Sequence, residues 1–286
     1  DHPRRYEMVE FHTPMTPCEF ALRHLKEQKG TDMITRRHLM KTGAALGVTT
    51  VLPFGARAAA NGGDIFATTS SEITIHPISH ASFVMRTPAG VIYVDPVGEV
   101  AAYGDMPAPD LIMITHEHGD HYNAETLAGI AGDTAPLVTN PAVYGMLAAD
   151  LQARAQQLAN GDSTTFGDLA IDAIPAYNIT PERMNFHPQG RDNGYVLAID
   201  GFRTYVSGDT EDIPEMRALE NIDLAFVSMN LPFTMDAAAA ADAVREFGPS
   251  YVYPYHYRGR DDGTQDPAEF AALVGDAAEV KMGGWY

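Results

Sequence analysis

Four apolar residues, Leu111-Ile112-Met113-Ile114, run directly into Thr115-His116-Glu117-His118-Gly119-Asp120-His121. The apolar stretch reads as a buried strand, so four ligand-type side chains emerge together at a strand end. On an extended or tightly turning segment His116 and His118 project to the same side, where their imidazoles can hold one cation. Asp120 and His121 point elsewhere and can grip a second cation, and a metal pair about 3.5–4 Å apart can share a water-derived hydroxide. A metalloenzyme is therefore the first hypothesis.

These residues match in full the H-x-H-x-D-H motif of the metallo-β-lactamase superfamily, which the chain resembles from about Ile73 to its last residue. It looks closest to the branch that holds the ascorbate-phosphate lactonases and the N-acyl-phosphatidylethanolamine phospholipase D-like hydrolases. Ser79-His80-Ala81-Ser82 resembles the first-strand motif of that branch, and Val94-Asp95-Pro96 its strand-end aspartate, which helps shape the metal loop. Asn185-Phe186-His187-Pro188 looks like the third-histidine motif, Ser207-Gly208-Asp209-Thr210 like the bridging aspartate, and Tyr253-Pro254-Tyr255-His256-Tyr257 like the last histidine. The resemblance implies a first metal on His116, His118 and His187, a second on Asp120, His121 and His256, and Asp209 between them. Taken alone, His187 also reads as an ordinary loop histidine, Asp209 as a turn residue or helix cap before Ile213-Pro214, and His256 as a packed histidine among tyrosines.

His187 is followed by Pro188-Gln189-Gly190 rather than the context usual in β-lactamases and glyoxalase-like members, which tells against β-lactam and glutathione-thioester substrates. Oxygen-reducing di-iron relatives tend to carry glutamate where this chain has His118, and imidazole suits zinc better. Two divalent ions are expected, zinc first, with manganese or iron as alternatives. Such a pair lowers the pKa of a water from 15.7 to about 7, which makes hydroxide available at neutral pH. Asp120, besides holding metal, can orient that nucleophile. His80, Asn230 and Tyr257 are candidates for touching a small-molecule substrate, and His80 reads equally well as a partner of the ligands. The leading function is a hydrolase acting on a small ester, lactone or phosphodiester. A di-iron redox enzyme and a non-catalytic metal-binding protein are the alternatives.

Near the start, Thr35-Arg36-Arg37-His38-Leu39-Met40-Lys41 resembles the twin-arginine export motif. It leads into an apolar run through Phe54 and the small-residue stretch Gly55-Ala56-Arg57-Ala58-Ala59-Ala60. The run is shorter than the ~20 residues of a permanent span. The expectation is a signal over residues 33–60, recognition by the twin-arginine machinery, and a periplasmic or secreted domain over 61–286. Residues 1–32 then read as an upstream extension, with Met33 as the natural start.

Beyond residue 60 the chain holds ten Lys and Arg against thirty-two Asp and Glu, a formal charge of −22. So acidic a surface repels phosphate backbones and tells against the nuclease branches. The single cysteine, Cys18, lies upstream, so the domain has neither disulfide nor thiolate ligand. Strands are expected over 73–78, 82–87, 91–95, 111–115, 169–175, 194–199, 203–207, 223–228, 250–255 and 279–282. Helices are expected over 123–131, 141–149, 151–158, 235–247 and 267–274. Mixed strands followed by alternating strand and helix suit the four-layer αββα sandwich, an α/β (α+β) fold, that the resemblance implies.

Overall fold

The computed structural model describes residues 63–286. The export-motif segment, Met33, Cys18 and the proposed cleavage region lie outside the described residues. The chain runs β1 (Asp64–Ala67), β2 (Glu72–Ser79), β3 (Ser82–Thr87), β4 (Gly90–Val94), a 3-10 turn (Val100–Tyr103), β5 (Leu111–Ile114) and α1 (Ala124–Ile130). It continues with β6 (Leu137–Thr139), α2 (Pro141–Met146), α3 (Ala149–Gln152), β7 (Ala155–Gln157), β8 (Ser163–Phe166), β9 (Leu169–Ala176), β10 (Asp192–Ile199) and β11 (Phe202–Val206). The last part is α4 (Pro214–Arg217), β12 (Leu224–Ser228), α5 (Ala237–Phe247), β13 (Tyr251–Tyr255), α6 (Pro267–Val274), a 3-10 turn (Gly275–Ala277) and β14 (Glu279–Val280).

Two seven-stranded sheets result, one of β1 to β7 and one of β8 to β14, each with its strands in chain order. Both repeat one pairing pattern: four strands joined antiparallel, then three added in parallel. Parallel neighbours need a crossover, and most of the helices lie in those connections. No repeat is visible in the sequence itself.

Side-chain alternation sorts the layers. On β5, Leu111 and Met113 enter the inter-sheet core, while Ile112 and Ile114 face the helices of the first half. On β13, Tyr253 and Tyr255 enter the same core and Val252 faces α5 and α6. Between the sheets Phe226 stacks on Phe83 at 4.1 Å and on Tyr253 at 5.1 Å, and Trp285 meets them edge-on. The layering is the expected αββα sandwich, with buried faces on both sides of each sheet.

Most expected elements are present with ends shifted by a residue or two. Caps set the true starts: Asn123, Asn140 and Asp236 accept from backbone N–H groups three residues on. The expected helix over 151–158 is not formed. Gln152 ends α3, and Ala155–Gln157 instead pair in parallel with Leu137–Thr139. Arg154 turns the chain by donating to the carbonyls of Ala131, Gly132 and Ala135. An edge position beside β6 therefore overrides the helical propensity of an Ala- and Gln-rich run. Strands β1, β6 and β8, none longer than four residues, also went unread, being too short for a periodic signal. Among the described residues no helix is long and apolar enough to cross a membrane.

Candidate metal centre

The site is assembled at the carboxyl ends of parallel strands, where open α/β sheets gather ligands. β4 ends at Asp95, β5 at the His116–His121 loop, β11 at Asp209, β12 at Asn230 and β13 at His256. His187 arrives on the β9–β10 connection and His80 on the β2–β3 turn. Asp95, His80 and His256 hold left-handed backbone, with φ of 44°, 54° and 51°. That conformation is unfavourable for side-chain-bearing residues and tends to cluster where geometry is over-determined by function. Gly208 also needs a positive φ, 60°, and a Cβ there would sit 2.8 Å from the Asn193 carbonyl. This close approach places Asp209 beside the β5 loop.

Asp95 organises that loop. It is fully buried, and its Oδ1 accepts from the Thr115 N–H at 2.7 Å. Its Oδ2 accepts from Thr115 Oγ1 and from His121 Nδ1, both at 2.8 Å. The carboxylate thereby fixes the His121 ring with Nε2 aimed inward. His187 is set the same way: Nδ1 donates to the Phe233 carbonyl at 3.1 Å, which leaves Nε2 facing the site. The Asn230 amide lies 2.8 Å from Nδ1 of His256 and orients that ring.

Three groups of donor atoms each lie close enough to share an ion. In the first, His118 Nδ1 is 3.1 Å from His116 Nε2 and 3.2 Å from His187 Nε2. In the second, Asp120 Oδ2 is 3.2 Å from Nε2 of both His80 and His256. The third joins His116, His121 and Asp209. Asp209 stands between the groups, 3.3 Å from Nε2 of His121 and of His187, 3.6 Å from His256 and 4.0 Å from His116. The structure thus brings all seven expected metal residues together. It adds His80 to Asp120 and His256, while His121 faces Asp209.

The donor set fits a divalent cation. His121 Nε2 and Asp209 Oδ1 are buried, 3.3 Å apart, and neither has a hydrogen-bond partner. A buried imidazole nitrogen and a buried carboxylate oxygen so placed hold a positive charge between them, as a proton on Nε2 or as a cation in its place. Burial pulls the pKa of His116 well below its usual value, with His121 adding to the effect, so its imidazole is neutral and its lone pair free. Burial also opposes ionisation of Asp209, but His256 and His121 outweigh it and hold this carboxyl well below the ordinary range. For Asp120 the same opposition is overcome by hydrogen bonds from His256 and His80. His121 is the exception: burial lowers its pKa, yet Asp209 and Asp95 raise it well above the usual value.

A cavity of about 370 Å³ opens over these groups, lined by His118, Gly119, Asp120, His187, Asp209 and His256 together with Phe186, Phe233 and Arg260. Of the residues expected to touch substrate, His80 lies at the edge of the site, its Nδ1 2.6 Å from the Tyr286 hydroxyl. Asn230 is buried behind His256 and does not line the cavity. Tyr257 packs its ring against Tyr286 at 4.8 Å and is likewise absent from the walls. Sequence reasoning missed Tyr286 and Arg260 altogether and used Phe186 only as part of a motif. The one available signal for Arg260 is its charged, Gly-rich segment directly after the strand that ends in His256.

A sandwich of this topology with donors on its strand-end loops defines the class of the protein: residues 74–256 match the Beta-lactamase superfamily domain, and the chain belongs to that superfamily. Relatives narrow the placement. It is 31% identical over 213 residues to the UPF0173 metal-dependent hydrolase of Thermococcus kodakarensis, covering 71% of this chain and 92% of that one. The UPF0173 metal-dependent hydrolase of Anaeromyxobacter dehalogenans is also 31% identical, over 71% of this chain and 81% of its own. The crystal structure of a Parabacteroides distasonis protein assigned as a metal-dependent hydrolase superposes with a TM-score of 0.71 at 40% identity, covering 78% of this chain and 99% of that one. The chain is a metal-dependent hydrolase of the UPF0173 family.

Proposed function

We propose that the protein is a hydrolase that uses two divalent cations, zinc first among them, to cleave a small ester, lactone or phosphodiester. The observation that carries this reading is the convergence of His80, His116, His118, Asp120, His121, His187, Asp209 and His256 into three groups of donor atoms, each close enough to share an ion. His116, His118 and His187 would hold one cation. Asp120 and His256, joined by His121 or His80, would hold the other, with Asp209 between them. Bound there, a cation pair supplies Lewis-acid polarisation of the scissile carbonyl or phosphoryl group and hydroxide at neutral pH.

The chain's own residues perform the remaining work. Asp120 is the catalytic residue that orients the attacking water, since Oδ2 is held from two sides by His80 and His256 and the carboxylate borders the cavity. His80 is itself braced by Tyr286, so Asp120 faces the cavity in one orientation. Phe186 and Phe233 give the cavity an apolar wall. Water adds across the scissile bond, its oxygen joining the acyl or phosphoryl centre and its proton passing to the leaving oxygen. The imidazole of His118, in the three-histidine group, weighs against the oxygen-reducing alternative.

We further propose that residues 33–60 direct export of the domain through the twin-arginine route. Mass spectrometry of the exported protein tests this, and a mature N-terminus upstream of Met33 refutes it. The hydrolase reading is tested by metal analysis, expected to give about two equivalents per chain. Chelation should abolish hydrolysis of an ester and lactone panel, and zinc should restore it. Activity that survives chelation overturns the proposal.

A further inference from the structure

We propose that Arg260 binds an oxyanion, a carboxylate or phosphate, at the far end of the substrate, so that the hydrolase acts on anionic esters or lactones in preference to neutral ones. This deepens the hydrolase reading and rests on it for the reaction, but the anion site itself stands on separate observations.

Five of the ten Arg and Lys residues among the described ones are held in ion pairs, Arg245 with Asp242 being one. Arg183 is committed to Glu211, Arg191 to Asp192 and Glu117, Arg217 to Asp212, Asp242 and Glu246, and Lys281 to Glu279. Arg260 lines the cavity and has no ion pair among the described residues, although Asp261 and Asp262 follow it directly. Its guanidinium lies 5.2 Å from the centroid of the Phe233 ring. Such stacking orients the guanidinium but leaves its charge and its donor edge available.

The loop that carries Arg260 is held in place. Its N–H donates to the Leu231 carbonyl at 3.1 Å, and Leu231 N–H donates to Gly263 at 2.9 Å. A Cβ at Gly263 would fall 2.0 Å from the Leu231 oxygen, so the close approach requires glycine. Phe233 is anchored in turn, its carbonyl accepting from His187 Nδ1 at 3.1 Å and from Asn178 Nδ2 at 2.7 Å. Phe186 meets Phe233 edge-on at 5.1 Å. Arginine, two phenylalanines and the donor cluster therefore form one continuous wall. A substrate would lay its apolar middle on the rings, present its scissile group to Asp120 and Asp209, and place an anion on the guanidinium fork.

The test uses the zinc-loaded full chain, with 4-nitrophenyl hydrogen glutarate as the charged ester and 4-nitrophenyl valerate as the neutral one. Wild type should favour the charged ester in kcat/KM. Arg260→Met, which keeps an apolar stem on Phe233, should lower the charged-to-neutral ratio about tenfold, mainly through KM, and Arg260→Lys should restore part of it. Arg86→Met, on the remote strand β3, should leave the ratio unchanged. Calorimetric titration with glutarate and with ethylphosphonate reads the same site whether or not any ester turns over, and it distinguishes carboxylate from phosphate. Affinity for at least one of the two should fall about tenfold in Arg260→Met. No ester turnover with that loss of affinity would sink the hydrolase reading and keep the anion site. An unchanged ratio together with unchanged affinity would overturn the anion site and leave the hydrolase reading intact.

Discussion

Replacing Asp95 by Asn changes one atom in the centre and tests how the centre is built. The carboxylate accepts three hydrogen bonds, one on Oδ1 from the Thr115 N–H and two on Oδ2 from Thr115 Oγ1 and His121 Nδ1. The Thr115 hydroxyl can rotate to accept from an amide, but the Thr115 N–H and a His121 Nδ1–H cannot. An asparagine has a single side-chain oxygen, so one of these two donors loses its acceptor. With the oxygen on Thr115, His121 escapes the conflict by giving up its Nδ1 proton and keeping the one on Nε2, which faces Asp209 Oδ1 at 3.3 Å. That tautomer cannot ligate a cation through Nε2, and forcing it back leaves a buried donor unsatisfied at about 1–3 kcal/mol. At 1.4 kcal/mol per factor of ten this is about 5- to 150-fold in affinity. The range agrees with the 10–100-fold typical when a partner of a metal-bound histidine is lost. Calorimetric zinc titration measures the affinity, and nitrogen-15 NMR of the imidazoles reads the tautomer. Cation binding by Asp95→Asn at wild-type strength, with His121 still protonated at Nδ1, would refute the reasoning.

The charge state of His121 gives a second expectation. Its raised pKa in the cation-free protein means that it contributes stability fully present below the unfolded value of 6.5 and lost as pH rises through the higher folded value. Cation binding must expel the Nε2 proton, so loading at neutral pH should release a proton from this ring and strengthen as pH rises. Titrations in buffers of different ionisation enthalpy count the proton, and zero release would contradict the assignment. Asp120→Ala should abolish turnover and weaken one cation, whereas near-normal rates would remove Asp120 from the mechanism. Phe226→Ala, at the middle of the stack with Phe83 and Tyr253, should lower unfolding free energy by about 3–5 kcal/mol in urea. A loss under 1 kcal/mol would mean that the sheets close over the gap.

How far such a centre is legible in sequence depends on how its parts are spaced. His116, His118, Asp120 and His121 were readable because one short loop supplies them, immediately after a strand buried on both faces. His187, Asp209 and His256 were readable only in the order a family imposes, since nothing local separates them from loop, turn and packed residues. His80 stayed open between two roles, and what resolves its position is the left-handed turn after β2, which lays its ring 3.8 Å from that of His256. Asn230 was expected against substrate, yet its contact with His256 turns it away from the cavity. Strand β7 was hidden because an Ala- and Gln-rich edge segment takes its conformation from the neighbour it pairs with. Arg260 was hidden for the converse reason: its partners Phe186 and Phe233 belong to loops remote from it or from each other in the chain, and only the closed sandwich sets them in one wall. Ligands that hold a cation must be of a few residue types in tight clusters, so they leave a pattern, whereas substrate walls need only shape and charge. Chemistry was therefore legible before specificity, and the specificity of this centre is to be sought in the segments that follow β12 and β13, where Phe233 and Arg260 lie.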